Sequence, residues 1–383
     1  GTGDAVRPEP VEAAQRGRRR GSLIGPQDRH LEIGEQRGAI GGKRELKPVV
    51  PLRLAGTDGA HHRAVRAAQL RIRQGQQRGA NVARGERATA VEPQGRISRE
   101  CLGMYSDACE EALARVLAIV RRYSAMPIGI QLGHAGRKGS QKKPSDGRGN
   151  IPEGEGGWQT VGPSAVAFIP EWQVPVALDR AGMESVLESF VRATERCARL
   201  GLDMIEIHAA HGYLLSSFLS PIANRRDDAY GGSRENRMRF PLEVFAAMRR
   251  AWPAGRPIGV RCNGTDWDES GITPDDAVAF ARALKDLGCD YVDASSGGNS
   301  MTKIPLGPGY QVPFAARIRR EAGIPTMAVG LIRDPHQAEA IIAGGEADMV
   351  ALGRGMLNDP RWPWHAAEAL GAQVEHPYQY FRA

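Results

Sequence analysis

The sequence predicts an α/β fold, a (β/α)8 TIM barrel whose first one or two βα units are absent or unrecognisable in residues 1–87. From residue 88 onward, short apolar runs with β-branched residues alternate with amphipathic helical patterns. This alternation is typical of a parallel sheet whose strands are buried under helices. Six strands can be counted, and no GxGxxG motif follows the first of them. Because a closed barrel needs eight strands, two βα units are expected before residue 127.

The predicted elements follow one another in a regular order. Two of the helices have clear start signals, Thr273-Pro274-Asp275-Asp276 and Asp334-Pro335. Only Ala-Thr-Ala-Val at 88–91 remains as a possible strand end before the first complete strand. The predicted strands cover 127–133, 203–209, 257–263, 290–296, 325–330 and 348–354, and the predicted helices cover roughly 179–200, 235–252, 274–288, 311–322, 334–344 and 360–370.

Residues 1–87 differ in composition from the rest of the chain. They are rich in Arg, Gly and Ala, hold 18 Lys and Arg against nine Asp and Glu, and contain no Phe, Tyr, Trp, Met or Cys. Such a segment buries too little apolar surface to offset the entropy of ordering. Three interpretations stay open: a disordered basic arm, a frame-shifted N-terminus, and a nucleic-acid-binding tail. The last is disfavoured because no aromatic side chain is present for base stacking.

Composition limits the class of protein further. Residues 88–383 hold 33 Lys and Arg against 35 Asp and Glu, so the net charge of +7 belongs to the first quarter of the chain. No apolar run approaches the length of a membrane span and no signal-peptide pattern is present, which favours a cytoplasmic protein. The five cysteines have no metal-ligand spacing and are expected to be buried thiols.

Polar side chains occur near the ends of four predicted strands. Side chains alternate along a strand, and in a barrel one set faces the helices while the other faces the lumen. Any one inward polar residue is most simply a satisfied core residue, but four strands together indicate a site at the rim. The residues that this alternation directs inward are Gln131, Glu206, His208, Arg261, Asp293 and Ser295.

The last two predicted strands have a glycine at or next to their end, which indicates a phosphate site. Gly330 and Gly353 let the backbone approach a ligand closely, and Arg354 adds a fork of hydrogen-bond donors. Loops after strands 7 and 8 are the usual phosphate site of this architecture. With Gln131 and Arg261 on the same rim, the pattern predicts a flat phosphorylated cofactor across the barrel mouth.

Two histidines, His208 and His211, follow one strand at a spacing of three residues. Two histidines at this spacing can ligate zinc, but a third ligand of suitable spacing is missing, so no metal is expected. As hydrogen-bond donors they can instead hold one anionic or carbonyl oxygen together.

Five stretches carry a family resemblance. They are IQLGHAGRKGS (130–140), IEIHAAHGYLLSSFLSPIANRRDDAYGGSRENRMRF (205–240), GVRCNGTDW (259–267), AVGLI (328–332) and ALGRGMLNDP (351–360). They resemble the Old Yellow Enzyme family of FMN-dependent ene-reductases, and the pattern looks like its thermophilic-like bacterial subclass. The resemblance covers 88–383, which it identifies as an FMN-binding barrel domain. It begins abruptly, with Arg87 where family members carry an acidic residue, and this favours the frame-shifted interpretation of 1–87.

The resemblance implies an NADPH dehydrogenase or ene-reductase. FMN, reduced by NADPH or NADH, would in turn reduce the C=C bond of an electrophilic alkene such as an enone, a maleimide or a nitroalkene. At the matching positions His208 and His211 would hold the activating oxygen of the substrate, and Tyr213 would deliver the proton to the α-carbon. The implied cofactor-binding residues are Ala88, Gln131, Arg261, Gly330, Gly353 and Arg354.

Both ends of the chain bear on this prediction. The C-terminal PYQYFRA resembles a tail whose arginine reaches a neighbouring subunit, so Arg382 is expected to contact substrate in trans in a homo-oligomer, a dimer or tetramer. The Pro-Met-Cys stretch and the substrate-facing tyrosine of the family's first strand cannot be found in 1–87. An alternative is therefore a non-catalytic or inactive flavin-binding barrel. A relative of the dienoyl-CoA or amine dehydrogenases is disfavoured because the chain has no cysteine cluster.

Overall fold

Parallel β-strands form the centre of the fold. The structure, a computed structural model, describes residues 88–147, 149–374 and 380. The described strands are β1 (Thr89–Ala90), β2 (Gly129–Gly133), β3 (Val161–Gly162), β4 (Val176–Ala177), β5 (Met204–Ala209), β6 (Ile258–Asn263), β7 (Tyr291–Ser295), β8 (Thr326–Ala328) and β9 (Met349–Val350). Seven of them form one sheet in the order β1-β2-β5-β6-β7-β8-β9, while β3 and β4 pair separately.

Helices follow most of the strands, and their starts have local causes. The Ser106 hydroxyl accepts a hydrogen bond from the Cys109 N–H at the first helix, and Thr273 and Asp276 form a reciprocal capping box at the fifth. The described α-helices are α1 (Asp107–Tyr123), α2 (Arg180–Arg199), α3 (Leu214–Leu219), α4 (Arg234–Ala251), α5 (Pro274–Asp286), α6 (Val312–Ala322), α7 (Pro335–Ala343), α8 (Arg354–Asn358) and α9 (Trp362–Ala369).

The register of the sheet places polar residues of neighbouring strands side by side. Gln131 of β2 pairs with Glu206 of β5, and His208 of β5 pairs with Arg261 of β6. Arg261 is also the partner of Asp293 on β7. Because these strands are parallel, their carboxyl ends lie at the same edge of the sheet. The polar residues therefore form one rim.

The apolar core lies between the strands and the helices. Ile207 and Val260, which point outward from β5 and β6, are each only 1% exposed, and they pack in the large core cluster. A second, smaller cluster lies apart from this core and is made of side chains from the strands and from the residue that follows β9: Met204, Tyr291, Met327, Met349 and Ala351.

The predicted α/β barrel is confirmed. All six predicted strands and all six predicted helices are present, with ends shifted by a few residues, and the expected strand end at 88–91 is β1. The described residues supply seven strands, and within them β1 and β9 each pair with one neighbour in the sheet. Residues 1–87, predicted to be a separate anomalous segment, lie outside the described residues, so this domain boundary stays a prediction.

Two further features bear on the class of protein. None of the helices in the described ranges is both long and apolar enough to cross a membrane. The five cysteines form no disulfide with one another. Four are buried as expected, whereas Cys109 is half-buried. Burial raises the pKa of Cys197 and of Cys262 to about 12, so both are protonated thiols.

Candidate active site

A cavity of about 510 Å³ opens at the carboxyl ends of the parallel strands. Small-molecule sites in proteins have volumes of roughly 300–1,000 Å³. The walls come from β1, β2, β5, β6 and β7, and from the loops that follow β8 and β9. Active sites of (β/α)8 barrels lie at this end of the strands. The cavity is therefore the candidate site.

Eight of the predicted site residues meet at this cavity. Ala88 is described but is not among the residues that line it, whereas its neighbour Thr89 is. Arg382 lies outside the described residues. The predicted residues that line the cavity are Gln131, His208, His211, Tyr213, Arg261, Gly330, Gly353 and Arg354.

Three rings from one short segment meet edge to face. The ring centroids of His208 and His211 are 5.1 Å apart, and those of His208 and Tyr213 are 4.9 Å apart. The backbone turns sharply after β5, since His211 and Gly212 have φ angles of +61° and +71°. A non-glycine residue in this region costs roughly 1–3 kcal/mol. Contacts to neighbouring loops must therefore hold His211 in place.

Both imidazoles are neutral at neutral pH. Burial lowers the pKa of His208 and of His211 well below 6.5, and the nearby guanidinium of Arg261 lowers both further. Nδ1 of His208 accepts a hydrogen bond from the Ala210 N–H at 3.2 Å. A neutral imidazole that accepts at Nδ1 carries its proton on Nε2. His208 is therefore an Nε2–H donor.

His211 is held by three contacts. Its backbone N–H donates to Asn263 Oδ1 at 3.1 Å, and its carbonyl oxygen accepts from Lys138 Nζ at 2.8 Å. Its ring Nε2 lies 2.6 Å from Ser295 Oγ. Ser295 donates its own hydroxyl proton to Gln311 Oε1 at 3.3 Å. The Ser295 oxygen is thus an acceptor for the Nε2–H of His211.

A guanidinium lies beside the histidines. Arg261 Nε is 3.3 Å from Asp293 Oδ2, and a terminal nitrogen of Arg261 lies 3.4 Å from Ser295 Oγ. Arg261 lines the cavity, whereas the fully buried Asp293 does not. Positive charge is therefore presented to the cavity. No group of three or more His, Cys, Asp or Glu side chains in the described ranges is arranged to bind a metal ion.

The sequence does not predict the roles of two polar residues in the cavity wall. The alternation of side chains predicts that Glu206 points inward but indicates no role for it, and no pattern indicates Tyr291. Gln131 Nε2 donates to Glu206 Oε1 at 2.6 Å, and the Tyr291 hydroxyl donates to Glu206 Oε2 at 3.0 Å. Glu206 thus fixes the orientation of the Gln131 amide. The contact between Gln131 and Glu206 follows from the register between β2 and β5, and no local sequence pattern predicts it.

The wall carries more positive than negative charge, which fits an anionic ligand. Arg261, Arg333 and Arg354 line the cavity, and Glu206 is the one carboxylate among the described lining residues. A Cβ built on Gly353 would meet no atom within 4 Å, so the space in front of this glycine is open. Arg333 is not among the predicted residues, although a basic residue soon after a glycine at a strand end could have indicated a contact to an anionic ligand.

The fold and the cavity together define a barrel enzyme that binds an anionic organic cofactor. Residues 59–373 match the NADH:flavin oxidoreductase / NADH oxidase family. The chain belongs to this family, which is the Old Yellow Enzyme family.

Individual relatives agree with this assignment. The NADPH dehydrogenase of Geobacillus thermodenitrificans is 45% identical over 295 residues, which are 77% of this chain and 82% of the relative. The structure of morphinone reductase in complex with tetrahydroNAD is 28% identical with a TM-score of 0.60, over 76% of this chain and 78% of that one. A complex of 2-naphthoyl-CoA reductase has a TM-score of 0.65 and 23% identity, over 74% of this chain and 44% of that one. This last similarity shows the fold alone.

Family membership establishes the class of reaction, the cofactor and the reductant. The chain is an FMN-dependent oxidoreductase that uses NADPH or NADH as its reductant, as the sequence predicted. The residues present fit the cofactor, because the cavity has the volume, the excess of arginine and the open space at Gly353 that a flavin phosphate needs.

Proposed function

We propose that the chain reduces the C=C bond of activated alkenes such as enones, maleimides and nitroalkenes, with His208, His211 and Tyr213 as catalytic residues. The observation that carries this proposal is the meeting of their three rings at one cavity, with both imidazoles neutral. FMN, once reduced, supplies the hydride for the β-carbon of the alkene.

The two histidines hold the carbonyl or nitro oxygen of the substrate. His208 offers an Nε2–H, and His211 exchanges its contact with Ser295 Oγ at 2.6 Å for the substrate oxygen. As negative charge develops on that oxygen, fixed donors in an enclosed site stabilise it more than water would. The β-carbon becomes electron-poor as a result.

Tyr213 gives its phenolic proton to the α-carbon of the alkene. Its ring lies edge to face with His208, so the proton donor and the oxygen-holding donor are side by side. A positioned acid of this kind contributes roughly 100- to 10,000-fold to the rate.

The remaining wall residues hold the cofactor. Gln131 and Arg261 would hold the ring system of the flavin, and the guanidinium of Arg261 would stabilise the negative charge of its reduced form. The two glycine loops and Arg354, which lie at the same cavity, would bind the phosphate. Ala88 would contact the flavin from just before β1, where its Cβ lies 2.8 Å from the Cβ position of Gly133, next to His208. The residues of the two glycine loops are Gly330 and Gly353.

The test compares the two half-reactions of Tyr213→Phe. Reduction of bound FMN by NADPH should stay within about threefold of wild type, while oxidation by 2-cyclohexenone should slow roughly 100- to 10,000-fold. Tyr123→Phe is the matched control, because Tyr123 is 71% exposed on α1. An equal loss in both half-reactions would remove Tyr213 from the role of proton donor.

We also propose that the chain forms a homo-oligomer in which Arg382 contacts substrate in a neighbouring subunit. The support is the sequence of the C-terminal tail. Inactive Arg382→Ala and Tyr213→Phe proteins, mixed and re-assembled, should regain about a quarter of wild-type activity when sites pair randomly in a dimer. Size-exclusion and mass analysis would show whether the subunits exchange. If they exchange and the mixtures stay inactive, Arg382 does not contribute to a neighbouring subunit's site.

A further inference from the structure

We propose that Lys138 is a positioning residue for this site. Its ammonium group ties the loop that carries His211 and Tyr213 to the loop after β7, and it stabilises the negative charge that Tyr213 acquires when it releases its proton. This inference rests on the proposed function of those two residues. Lys138 itself does not line the cavity, so it acts through them.

The first observation is the pair of carbonyl groups on the ammonium. Lys138 ends the short 3-10 turn Gly136–Lys138 after β2. Its Nζ donates to the carbonyl oxygen of His211 at 2.8 Å and to that of Gly298 at 3.0 Å. Hydrogen bonds from a charged donor are stronger than those between neutral groups. One side chain therefore joins three separate barrel loops.

The second observation is how closely the two loops approach at this point. A Cβ on Gly212 would lie 2.0 Å from the Gly298 oxygen, and a Cβ on Gly298 would lie 2.6 Å from the His211 oxygen. Gly298 and His211 have φ angles of +93° and +61°. The loops can meet only in this backbone conformation, and the ammonium of Lys138 holds their carbonyl groups together.

The third observation is the position of the charge relative to the aromatic rings. Lys138 Nζ lies 4.3 Å from the ring centroid of Phe168 and 5.4 Å from that of Tyr213. Both distances are within the range of cation–π attraction, roughly 6 Å. A cation at this distance stabilises a phenolate more than a phenol, because the anion carries a full charge. Proton release by Tyr213 is therefore favoured.

The charged groups around Lys138 make it sensitive to pH. Burial is the main cause that lowers the pKa of Lys138 to about 7, with a smaller contribution from the adjacent Arg137 and an opposing one from Asp266. Asp266 is not a direct partner, since its described contacts are with other groups. The remaining titratable side chains that interact with Lys138 are His208 and His211, with Tyr213 beside them.

The experiment uses FMN-loaded Lys138→Met and Lys138→Arg with both half-reactions followed across pH. In Lys138→Met, oxidation by 2-cyclohexenone should slow about 10- to 100-fold while reduction by NADPH stays within about threefold. In wild type, oxidation should slow as pH rises through about 7 and Lys138 loses its proton. This fall in the oxidation rate, the alkaline limb of the pH profile, should be absent from Lys138→Met. In Lys138→Arg it should move to much higher pH, because the guanidinium stays charged.

The matched control is Lys143→Met, the same chemical change five residues further along the same loop. Lys143 pairs with Glu100 at the surface, at 2.8 Å, and a pair of this kind contributes little. It should leave both half-reactions and the alkaline limb unchanged.

Three outcomes overturn the inference. In the first, Lys138→Met is oxidised at the same rate as Lys143→Met. In the second, Lys138→Met slows both half-reactions equally and has a lower melting temperature, which indicates a purely structural role. If Lys138→Met does not fold, Lys138→Arg decides, because an unmoved alkaline limb near pH 7 contradicts the proposal. Failure of the proposed function looks different: Tyr213→Phe then keeps wild-type oxidation or slows both half-reactions equally, whatever the Lys138 variants do.

Discussion

Gln131 and Glu206 are 75 residues apart in the chain, yet a hydrogen bond of 2.6 Å joins their side chains across neighbouring strands. The second oxygen of Glu206 accepts from the Tyr291 hydroxyl at 3.0 Å. Glu206 is 4% exposed, so it accepts both hydrogen bonds away from bulk water. The amide that is proposed to hold the flavin is therefore oriented by a carboxylate in the barrel lumen.

Glu206→Leu should weaken FMN binding and lower stability. The change leaves the Gln131 amide and the Tyr291 hydroxyl without their acceptor, at a cost of about 1–3 kcal/mol in the free energy of unfolding. FMN affinity should fall about tenfold by fluorescence titration, since a misplaced amide no longer matches the flavin edge. Glu206→Gln keeps one acceptor oxygen and should be milder. Glu153→Leu, on an exposed loop, is the control. Wild-type affinity in Glu206→Leu would show that Gln131 needs no such support.

Gly212→Ala should slow alkene reduction about 100-fold by displacing the turn that carries His211. The new methyl group would lie 2.0 Å from the Gly298 oxygen, so one of the two loops must move. A displacement of about 1 Å at reacting groups costs on the order of 100-fold in rate. Gly232→Ala is the matched control, because Gly232 has a φ of +76° and open space around its Cβ position. Equal kcat/KM values for the two variants would show that the turn tolerates movement.

The fold could be predicted from the sequence because each strand is short, apolar and followed by a helical pattern. The inward direction of Gln131, Glu206 and Arg261 followed from the alternation of side chains along single strands. The helix Asp107–Tyr123 was missed although its buried Leu113 and Leu117 have helical spacing. Apolar side chains on the opposite face blur that pattern, and they are exposed: Val116 at 48%, Ile119 at 59% and Tyr123 at 71%.

Contacts between distant segments could not be predicted. The Lys138 ammonium meets the Gly298 carbonyl from 160 residues away, and nothing local to either residue indicates it.

Gly353→Leu should release FMN without unfolding the protein. The Cβ position of Gly353 meets no atom within 4 Å, and its φ of −93° is not in the left-handed region, so we expect the variant to fold. A leucine there fills the space assigned to the phosphate, and FMN affinity should fall at least about tenfold by fluorescence titration. Gly255→Leu, in an exposed turn with equally open space, should keep wild-type affinity. Unchanged FMN binding in Gly353→Leu would place the phosphate elsewhere on the wall.

The stability of the protein should fall below about pH 6.5 because of His208 and His211. Their pKa values are held well below 6.5 by burial and by Arg261, so in acid the unfolded chain takes up protons that the folded chain cannot. The stabilisation is fully present above the unfolded pKa of about 6.5, and each histidine loses roughly 1.4 kcal/mol per pH unit below it.

Urea unfolding of the FMN-saturated protein, compared at about pH 7.5 and about pH 5.5, measures this loss. In His208→Gln/His211→Gln the drop between the two pH values should be smaller by roughly 2–3 kcal/mol, since neither amide takes up a proton. His336→Gln, at the start of α7, removes one histidine outside the cavity and should keep the wild-type drop. If the double variant loses as much stability in acid as wild type does, the two imidazoles are not held neutral by the fold. Their assignment as neutral donors to the substrate oxygen would then fail with it.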